Sequence, residues 1–166
     1  MKKQCRFLIA LLLLSLAFLP SCKGARLRND VSALALCEFA IARLDDGVEY
    51  LVADEEYLGD YFKIPESVLD YSIHFAADGN NLNEFGIFHI QKGHADEMEE
   101  LLEDYLEDSW ERNQSWYDSY IPKETPKLRD AEVKVYGNYV MYAILDKDAR
   151  KIFFDAVKEA LKEPKG

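Results

Sequence analysis

Cys22 is the residue whose surroundings point most directly to a defined chemistry. It follows the tripeptide Leu-Pro-Ser at the end of an apolar run, residues 7–19, and three basic residues precede that run. A basic start, an apolar run too short to span a bilayer and a small residue before the cut are typical of an exported precursor. We therefore expect cleavage before Cys22, whose thiol would accept a lipid. Because Pro20 is unusual at such a cut, an ordinary secretory signal with a chance cysteine is the alternative.

Cys37 would be the remaining thiol of the mature chain, because Cys5 leaves with the signal and Cys22 carries the lipid. An intramolecular disulfide is then impossible. Cys37 lies in an apolar helical stretch, residues 31–44, where a thiol packs as a small hydrophobe. We expect Cys37 in the core, since catalysis would need a partnering base.

Carboxylates raise a calcium hypothesis. Glu99, Glu103 and Glu107 share one face of a predicted helix, and Ca²⁺ prefers oxygen ligands of this kind. Calcium sites usually wrap the ion with a turn-rich loop, and the sequence has no Asp-x-Asp-x-Asp-Gly loop. The pattern therefore favours a solvated helix face.

The three histidines raise a zinc or copper hypothesis. His74, His89 and His94 would approach one another only if the first predicted hairpin paired His74 near His89. A shift of one residue in that pairing would send a side chain to the opposite face. Neither a His-Glu-x-x-His pair nor a cysteine partner is present, so we assign no metal and no cofactor.

The motifs of common enzyme classes are missing from the sequence. There is no Gly-x-Ser-x-Gly elbow for a nucleophilic serine, and no Gly-x-x-x-x-Gly-Lys or Gly-x-Gly-x-x-Gly loop for a phosphate. Paired carboxylates are abundant but unspecific. We therefore assign no catalytic residue, and leave open an envelope hydrolase whose acidic catalytic residues are scattered along the chain.

Aromatic side chains gather around the end of the long predicted helix. Tyrosine and tryptophan are favoured at binding surfaces, because each combines a rigid apolar body with a polar tip. In the alternative, Trp110 belongs to the core and the tyrosines cover the sheet edge. The surface where we expect a ligand or partner contains Trp110, Trp116, Tyr117, Tyr120 and Tyr139.

The charge balance excludes some partners. The chain carries 31 acidic against 20 basic residues, a formal net charge of −11. A phosphate backbone needs a basic patch, so nucleic acid is not expected as a partner. The same sign argues against a domain lying flat on anionic lipid, so a lipid on Cys22 would be what holds the protein to the bilayer.

The elements that must position these residues follow from periodicity and turn residues. Apolar spacing and caps predict the order helix, helix, strand, strand, helix, strand, strand, helix. Their ranges are 32–47, 53–61, 68–75, 84–91, 95 toward 117, 131–136, 139–145, and 146 onward to 161. The fold class is α+β, with a four-stranded antiparallel sheet made of two hairpins and amphipathic helices packed mainly on one face.

The first strand, residues 68–75, alternates apolar and polar residues. Its apolar side contains Leu69 and Ile73, and its polar side contains Asp70, Ser72 and His74. Such alternation predicts a half-buried strand with the apolar side against the core.

We expect three segments in the chain: a signal peptide over residues 1–21, a lipidated tether over 22–29 and one α+β domain over 30–166. An exported and lipidated chain would sit at the extracytoplasmic face of the cell membrane. The tether is short, so the domain would lie close to the bilayer.

Several stretches resemble a known family. They are Glu84-Phe-Gly-Ile-Phe88, the acidic helix that follows, Tyr120-Ile-Pro122, Lys127-Leu128, the strand from Ala131, and Gly137-Asn-Tyr-Val140. Over about residues 45 to 145, their order resembles the family catalogued as domain of unknown function 4358, whose members look like small lipoproteins of Gram-positive bacteria. The resemblance implies export and one α+β domain, and it brings no activity, cofactor or catalytic residue.

The expected anchor and the missing motifs favour a non-catalytic binding or accessory module of the cell envelope. Its partner would be an envelope protein or peptide, or another envelope component. The envelope hydrolase is the alternative, and a subunit that assembles with itself is a third reading. The sequence identifies neither the partner nor the oligomeric state.

Overall fold

The structure, a computed structural model, describes residues 27–54, 57 and 63–163. The expected signal peptide and Cys22 lie outside the described residues, as does most of the weak helix expected over 53–61. Within the described part of the chain, no helix is both long and apolar enough to cross a membrane.

The described helices and strands form an α+β arrangement, as the periodicity predicts. In chain order they are α1 (Ala33–Leu44), β1 (Tyr50–Val52), β2 (Val68–Ala76), β3 (Glu84–Ile90), α2 (Ala95–Tyr120), α3 (Thr125–Arg129), β4 (Glu132–Tyr136), β5 (Tyr139–Ile144) and α4 (Lys147–Ala160).

The strands form one antiparallel sheet in the order β1-β2-β3-β5-β4. The sheet has five strands, so the prediction of four was wrong. The additional strand is β1, an edge strand of three residues that pairs Tyr50 with Ala76 and Val52 with His74. Three residues are too few for an alternating pattern to emerge from the sequence.

Helices cover both faces of the sheet, so the prediction of helices mainly on one face was also wrong. One core contains residues of α1 and α4, and the other contains residues of α2 and α3. In β3, Phe85 and Ile87 point into the first core, and Phe88 and Ile90 point into the second. Because β3 and β5 are buried on both faces, each needs two helical layers.

The polar side of β2 is covered, contrary to the reading of its alternation. Ser72 and His74 are buried, whereas Leu69 on the apolar side is 57% exposed. The cover is α1, whose first turn is held from β2: the Ala33 N–H donates to Asp70 Oδ1 at 2.6 Å. This bond satisfies a free donor at the start of the helix, which makes Asp70 a cap supplied by the neighbouring strand.

Two sequence features place the C-terminal half as expected. The β4–β5 hairpin turns at Gly137 and Asn138, where Gly137 has a φ of 64° that suits the first central position of a tight hairpin turn. The long acidic helix α2 extends to Tyr120. The connector after it contains α3, a short helix not expected from the sequence, with Pro126 in its first turn where proline is tolerated.

The contacts of the domain begin at Leu27, inside the segment expected to be a tether. Leu27 forms a bridge with Lys162, and the Arg28 N–H donates to the Leu161 carbonyl at 2.8 Å. These bonds attach the start of the described chain to the end of α4.

Candidate functional site

A cavity of about 330 Å³ opens beside the start of β3, on the α2 side of the sheet. The loop before β3 supplies one wall, and a single face of α2 supplies the other. We call it the polar cavity; its lining is Tyr57, Phe75, Asn81, Leu82, Asn83, Glu84, Tyr105, Ser109, Arg112, Asn113, Tyr117, Leu128 and Ile144.

Glu84, the first residue of β3, forms the floor of the polar cavity. Its Oε1 accepts hydrogen bonds from the hydroxyls of Tyr105 at 2.8 Å and Tyr142 at 2.5 Å. Its Oε2 accepts from the hydroxyl of Tyr57 at 2.8 Å. Glu84 is 9% exposed, so these donors replace most of the water that a carboxylate would otherwise bind.

The position of the Tyr142 ring depends on Gly86. These two residues face each other across β3 and β5, and a Cβ added to Gly86 would lie 2.6 Å from Cε1 of Tyr142. Ile73 on β2 closes the other side, with its Cγ1 2.8 Å from the same point. Only glycine therefore leaves room for the ring that carries its hydroxyl to Glu84.

The hydroxyl of Tyr142 serves only as a hydrogen-bond donor to Glu84. Complete burial, followed by the negative charge of Glu84, raises the pKa of Tyr142 well above its ordinary value. The phenol therefore keeps its proton at any physiological pH.

Lys127 of α3 fixes the loop that forms one wall. Its buried Nζ donates to Asn83 Oδ1 at 2.7 Å, Asn81 Oδ1 at 3.1 Å and Glu124 Oε2 at 2.6 Å. The same Glu124 oxygen accepts from the Leu82 N–H at 3.1 Å. Since Lys127 and Glu124 form an ion pair, this support adds no net charge beside the cavity.

The α2 wall arises from helical spacing. Tyr105, Ser109 and Asn113 are four residues apart and so stack along one face, with Arg112 and Tyr117 beside them. The Asn113 amide donates to the Ser109 carbonyl at 2.9 Å, and Arg112 Nε donates to the Asp108 carbonyl at 3.1 Å. Arg112 is exposed, which places it at the mouth of the cavity, opposite the buried floor.

The structure brings together three of the five aromatic residues expected to form a binding surface. Trp116 packs edge-on against Tyr117, with ring centroids 5.4 Å apart, and is tilted against Tyr120 at 5.1 Å. Tyr117 also lines the polar cavity. Trp110 is partly buried against the core on the α2 side. Tyr139 is fully buried on the opposite face of the sheet, where its hydroxyl donates to the Val31 carbonyl at 2.7 Å.

The histidines lie apart from one another. The register pairs His74 with Phe85 and His89 with Asp70, and His94 is exposed beside Glu97 at the start of α2. Glu103 and Glu107 of the acidic helix face solvent. Among the residues that the structure describes, no group of three or more His, Cys, Asp or Glu side chains is arranged to hold a metal ion.

Cys37 is buried in α1 with its thiol 3.6 Å from the Ser72 carbonyl. Burial raises the pKa of the Cys37 thiol to about 12, so the nucleophilic thiolate does not form at neutral pH.

Sequence reasoning missed the residues that build the polar cavity: Glu84, Tyr105, Arg112 and Asn113. One signal was available, because Glu84 begins a strand in which every other residue is apolar, glycine or histidine. A lone carboxylate at the start of a buried strand needs donors, and tyrosine hydroxyls can supply them. Which tyrosines do so depends on tertiary packing.

Comparison with known proteins identifies a family for this chain. Among curated proteins and among solved structures, none matches this chain. The family described as Domain of unknown function (DUF4358) matches residues 43–145, a span that includes all five strands and the whole lining of the polar cavity. This chain therefore belongs to the family of the domain of unknown function DUF4358.

Proposed function

We propose that this protein is a lipid-anchored, extracytoplasmic module that binds a small ligand of the cell envelope in the polar cavity, without catalysis. The observation that carries the proposal is the preformed floor, in which three tyrosine hydroxyls hold the Glu84 carboxylate. Polar groups already fixed by hydrogen bonds lose little conformational freedom on binding, which favours affinity. A cavity with a few convergent polar groups is the usual form of a small-molecule site.

The aromatic patch made of Trp116, Tyr117 and Tyr120 adds to this proposal. Tyr117 belongs to both the patch and the cavity lining, so a larger ligand or a peptide could extend from one to the other. Tyr120 is 70% exposed and Trp116 is 51% exposed, which is unusual for such large rings.

A hydrolase using acidic residues is the alternative. Glycosidase-type hydrolysis uses two carboxyl groups about 5 to 9 Å apart. Among the described lining residues, Glu84 is the one carboxylate, and three of its about four acceptor positions are occupied by tyrosine hydroxyls. The cavity therefore supports binding better than hydrolysis.

Binding is tested on the full-length protein with a panel of amino acids, short peptides and sugars. The amide chemical shifts of residues 105–117 report contact with the α2 wall. An Asn113→Trp variant fills the cavity and should abolish the shifts, whereas Gln114→Trp, exposed on the same helix, should leave them. If no compound shifts these amides, or if Asn113→Trp responds like the wild type, the binding function is wrong.

Anchoring is tested by mass spectrometry of the mature N-terminus. We expect an acylated Cys22 as the first residue and recovery of the protein with membranes. A Cys22→Ser variant should lose the acyl group, whereas Cys5→Ser should keep it. A chain that still begins at Met1, or an unmodified Cys22, contradicts this part of the proposal.

A further inference from the structure

We infer that the polar cavity selects a small zwitterion, a free amino acid or short peptide, with its ammonium group at Glu84 and its carboxylate at Arg112. The inference rests on the proposed binding function and adds the chemical class of the ligand.

The charges of the described lining set this polarity. Glu84 is the one acid and Arg112 the one base among these residues, with the acid buried at the floor and the base exposed at the mouth. Neither forms an ion pair with another described residue. A ligand with opposite charges at its two ends would compensate both.

The floor retains one place for a ligand donor. An ionised carboxylate has about four acceptor positions. Two donors occupy Oε1 of Glu84 and one occupies Oε2, so the remaining position is on Oε2. An ammonium N–H at that position would form a charge-assisted hydrogen bond, which is stronger than a bond between neutral groups.

Aromatic rings beside Glu84 favour the same cation. Tyr57 and Phe75 are stacked with ring centroids 4.8 Å apart and planes 2° from parallel, and both line the cavity. Tyr105 and Tyr117 line it from the α2 wall. Tyr57 and Phe75 cover one face of each other, so the contribution of these rings is secondary to the charge of Glu84. Where a lining ring turns its face to the cavity, that face attracts an ammonium group.

The mouth suits a carboxylate. The Arg112 guanidinium has five N–H donors and uses one, at Nε, for the Asp108 carbonyl. Its remaining donors can form the paired hydrogen bonds that arginine makes with carboxylates. Asn81, Ser109 and Asn113 also line the cavity, and their amide and hydroxyl groups suit a peptide bond or a polar side chain.

The volume limits the ligand to a small one. About 330 Å³ is close to the lower end of ligand pockets, which span roughly 300 to 1,000 Å³. Amino acids and dipeptides are of this size, whereas longer peptides would have to extend over the aromatic patch.

The test compares zwitterions with matched analogues that lack one charge, using calorimetry on the full-length protein. Alanine is compared with propionate and ethylamine, and phenylalanine with 3-phenylpropionate and phenethylamine; alanyl-alanine represents the short peptides. We expect at least one zwitterion to bind, and its one-charge analogues to bind about tenfold more weakly or worse.

Variants identify the two ends. Arg112→Gln removes the partner of the carboxylate, so it should abolish the preference for the zwitterion over its amine analogue. Glu84→Gln removes the partner of the ammonium group, so it should abolish the preference for the zwitterion over its acid analogue. Glu111 and Arg129 are exposed and do not line the cavity. The variants Glu111→Gln and Arg129→Gln are therefore matched controls, and both preferences should remain in them. Glu84 is buried, so Glu84→Gln could fail to fold. In that case the preference measured with Arg112→Gln, a substitution at an exposed position, decides whether the inference is right.

The outcomes separate this inference from the proposed function. If the zwitterions bind no better than their one-charge analogues, or if Arg112→Gln keeps the full preference, the inference is wrong. If only sugars or other uncharged compounds shift the amides of residues 105–117, the proposed binding function is supported and the inference of a zwitterionic ligand is wrong. If nothing in either panel binds, both are wrong.

Discussion

At the residue scale, one carboxylate joins three separate parts of the chain. Glu84 lies at the start of β3, and the tyrosines that donate to it come from β5, from α2 and from the segment before β2. Removing any one of these hydroxyls would leave a buried acceptor position less well satisfied, which costs about 1–3 kcal/mol. The same hydrogen bonds therefore stabilise the fold and shape the polar cavity.

Gly86→Ala tests how closely the strands must pack to bring Tyr142 to Glu84. The new Cβ would clash with the Tyr142 ring and with Ile73, so we expect the free energy of unfolding to fall by about 1–3 kcal/mol. Urea denaturation measures this change. Gly79→Ala is the control, because nothing lies within 4 Å of an added Cβ there, and it should change stability by at most about 0.5 kcal/mol. Equal effects at both positions would contradict the role of Gly86.

His74 makes stability depend on pH. Its Nε2 lies 3.0 Å from Ser72 Oγ, and its buried Nδ1 has no hydrogen-bond partner among the residues that the structure describes. Burial lowers the pKa of His74 below 6.5, although the charge of Glu38 opposes the shift. Since the unfolded histidine takes up a proton at a higher pH than the folded one, the contribution of His74 is complete above pH 6.5. It is lost as the pH falls through the lowered pKa of the folded state.

We therefore expect the difference in unfolding free energy between pH 8 and pH 5 to be smaller in His74→Phe than in the wild type. In the wild type the His74 ring stacks on Phe85 with ring centroids 5.5 Å apart, and phenylalanine at position 74 would keep a ring there. Urea denaturation at both pH values measures the difference, with His94→Gln at an exposed position as control. If His74→Phe and the wild type lose the same stability on acidification, His74 is not the group responsible.

The site was harder to predict from the sequence than the fold. Aromatic enrichment around Trp116 drew attention to the end of α2 at which Tyr117 lines the cavity. The expectation for Tyr139 took no account of the sheet face, because the sequence of β5 does not say which of its two faces the helix α2 will cover. Tyr139 and Tyr142 differ by an odd number of positions and so point into different cores.

At the element scale, burial on both faces decided which sequence predictions were right. The continuous apolar runs of β3 and β5 correctly predict strands, and such runs are typical of strands covered on both sides. The alternation of β2 predicts a strand, but it does not predict which face is covered. The polar face is covered by α1, a distant segment that bonds to Asp70 and lies on the side where His74 is buried. Short elements such as β1 and α3 depend on the tertiary contacts around them.

Lys127→Met tests whether α3 holds the wall of the cavity. The change removes three hydrogen bonds and leaves Asn83 and Glu124 without their cation, so we expect a loss of about 1–3 kcal/mol in unfolding free energy. Amide hydrogen exchange at Leu82, whose N–H donates to Glu124, should become faster. Lys123→Met, exposed in the preceding turn, is the control. Unchanged exchange at Leu82 would show that the loop keeps its position without α3.

At the scale of the whole molecule, two cores share one sheet. Leu36 of α1 is fully buried on one side, and Leu102 of α2 is fully buried on the other. Since β3 and β5 contribute alternate residues to both cores, neither core can be lost while the other keeps its complete set of contacts. Both layers should therefore unfold in one cooperative transition.

Leu36→Ala tests this cooperativity, because Trp110 lies against the opposite core and reports on it by fluorescence. We expect a loss of about 2–5 kcal/mol, with the urea midpoints from tryptophan fluorescence and far-UV circular dichroism falling together. Leu102→Ala should behave alike, whereas Leu34→Ala, 45% exposed on the same helix as Leu36, should have a small effect. If Leu36→Ala shifts the dichroism midpoint while the fluorescence midpoint stays at the wild-type value, the α1 and α4 layer unfolds independently. The sheet would then not transmit the loss from one core to the other, contrary to the packing of β3 and β5.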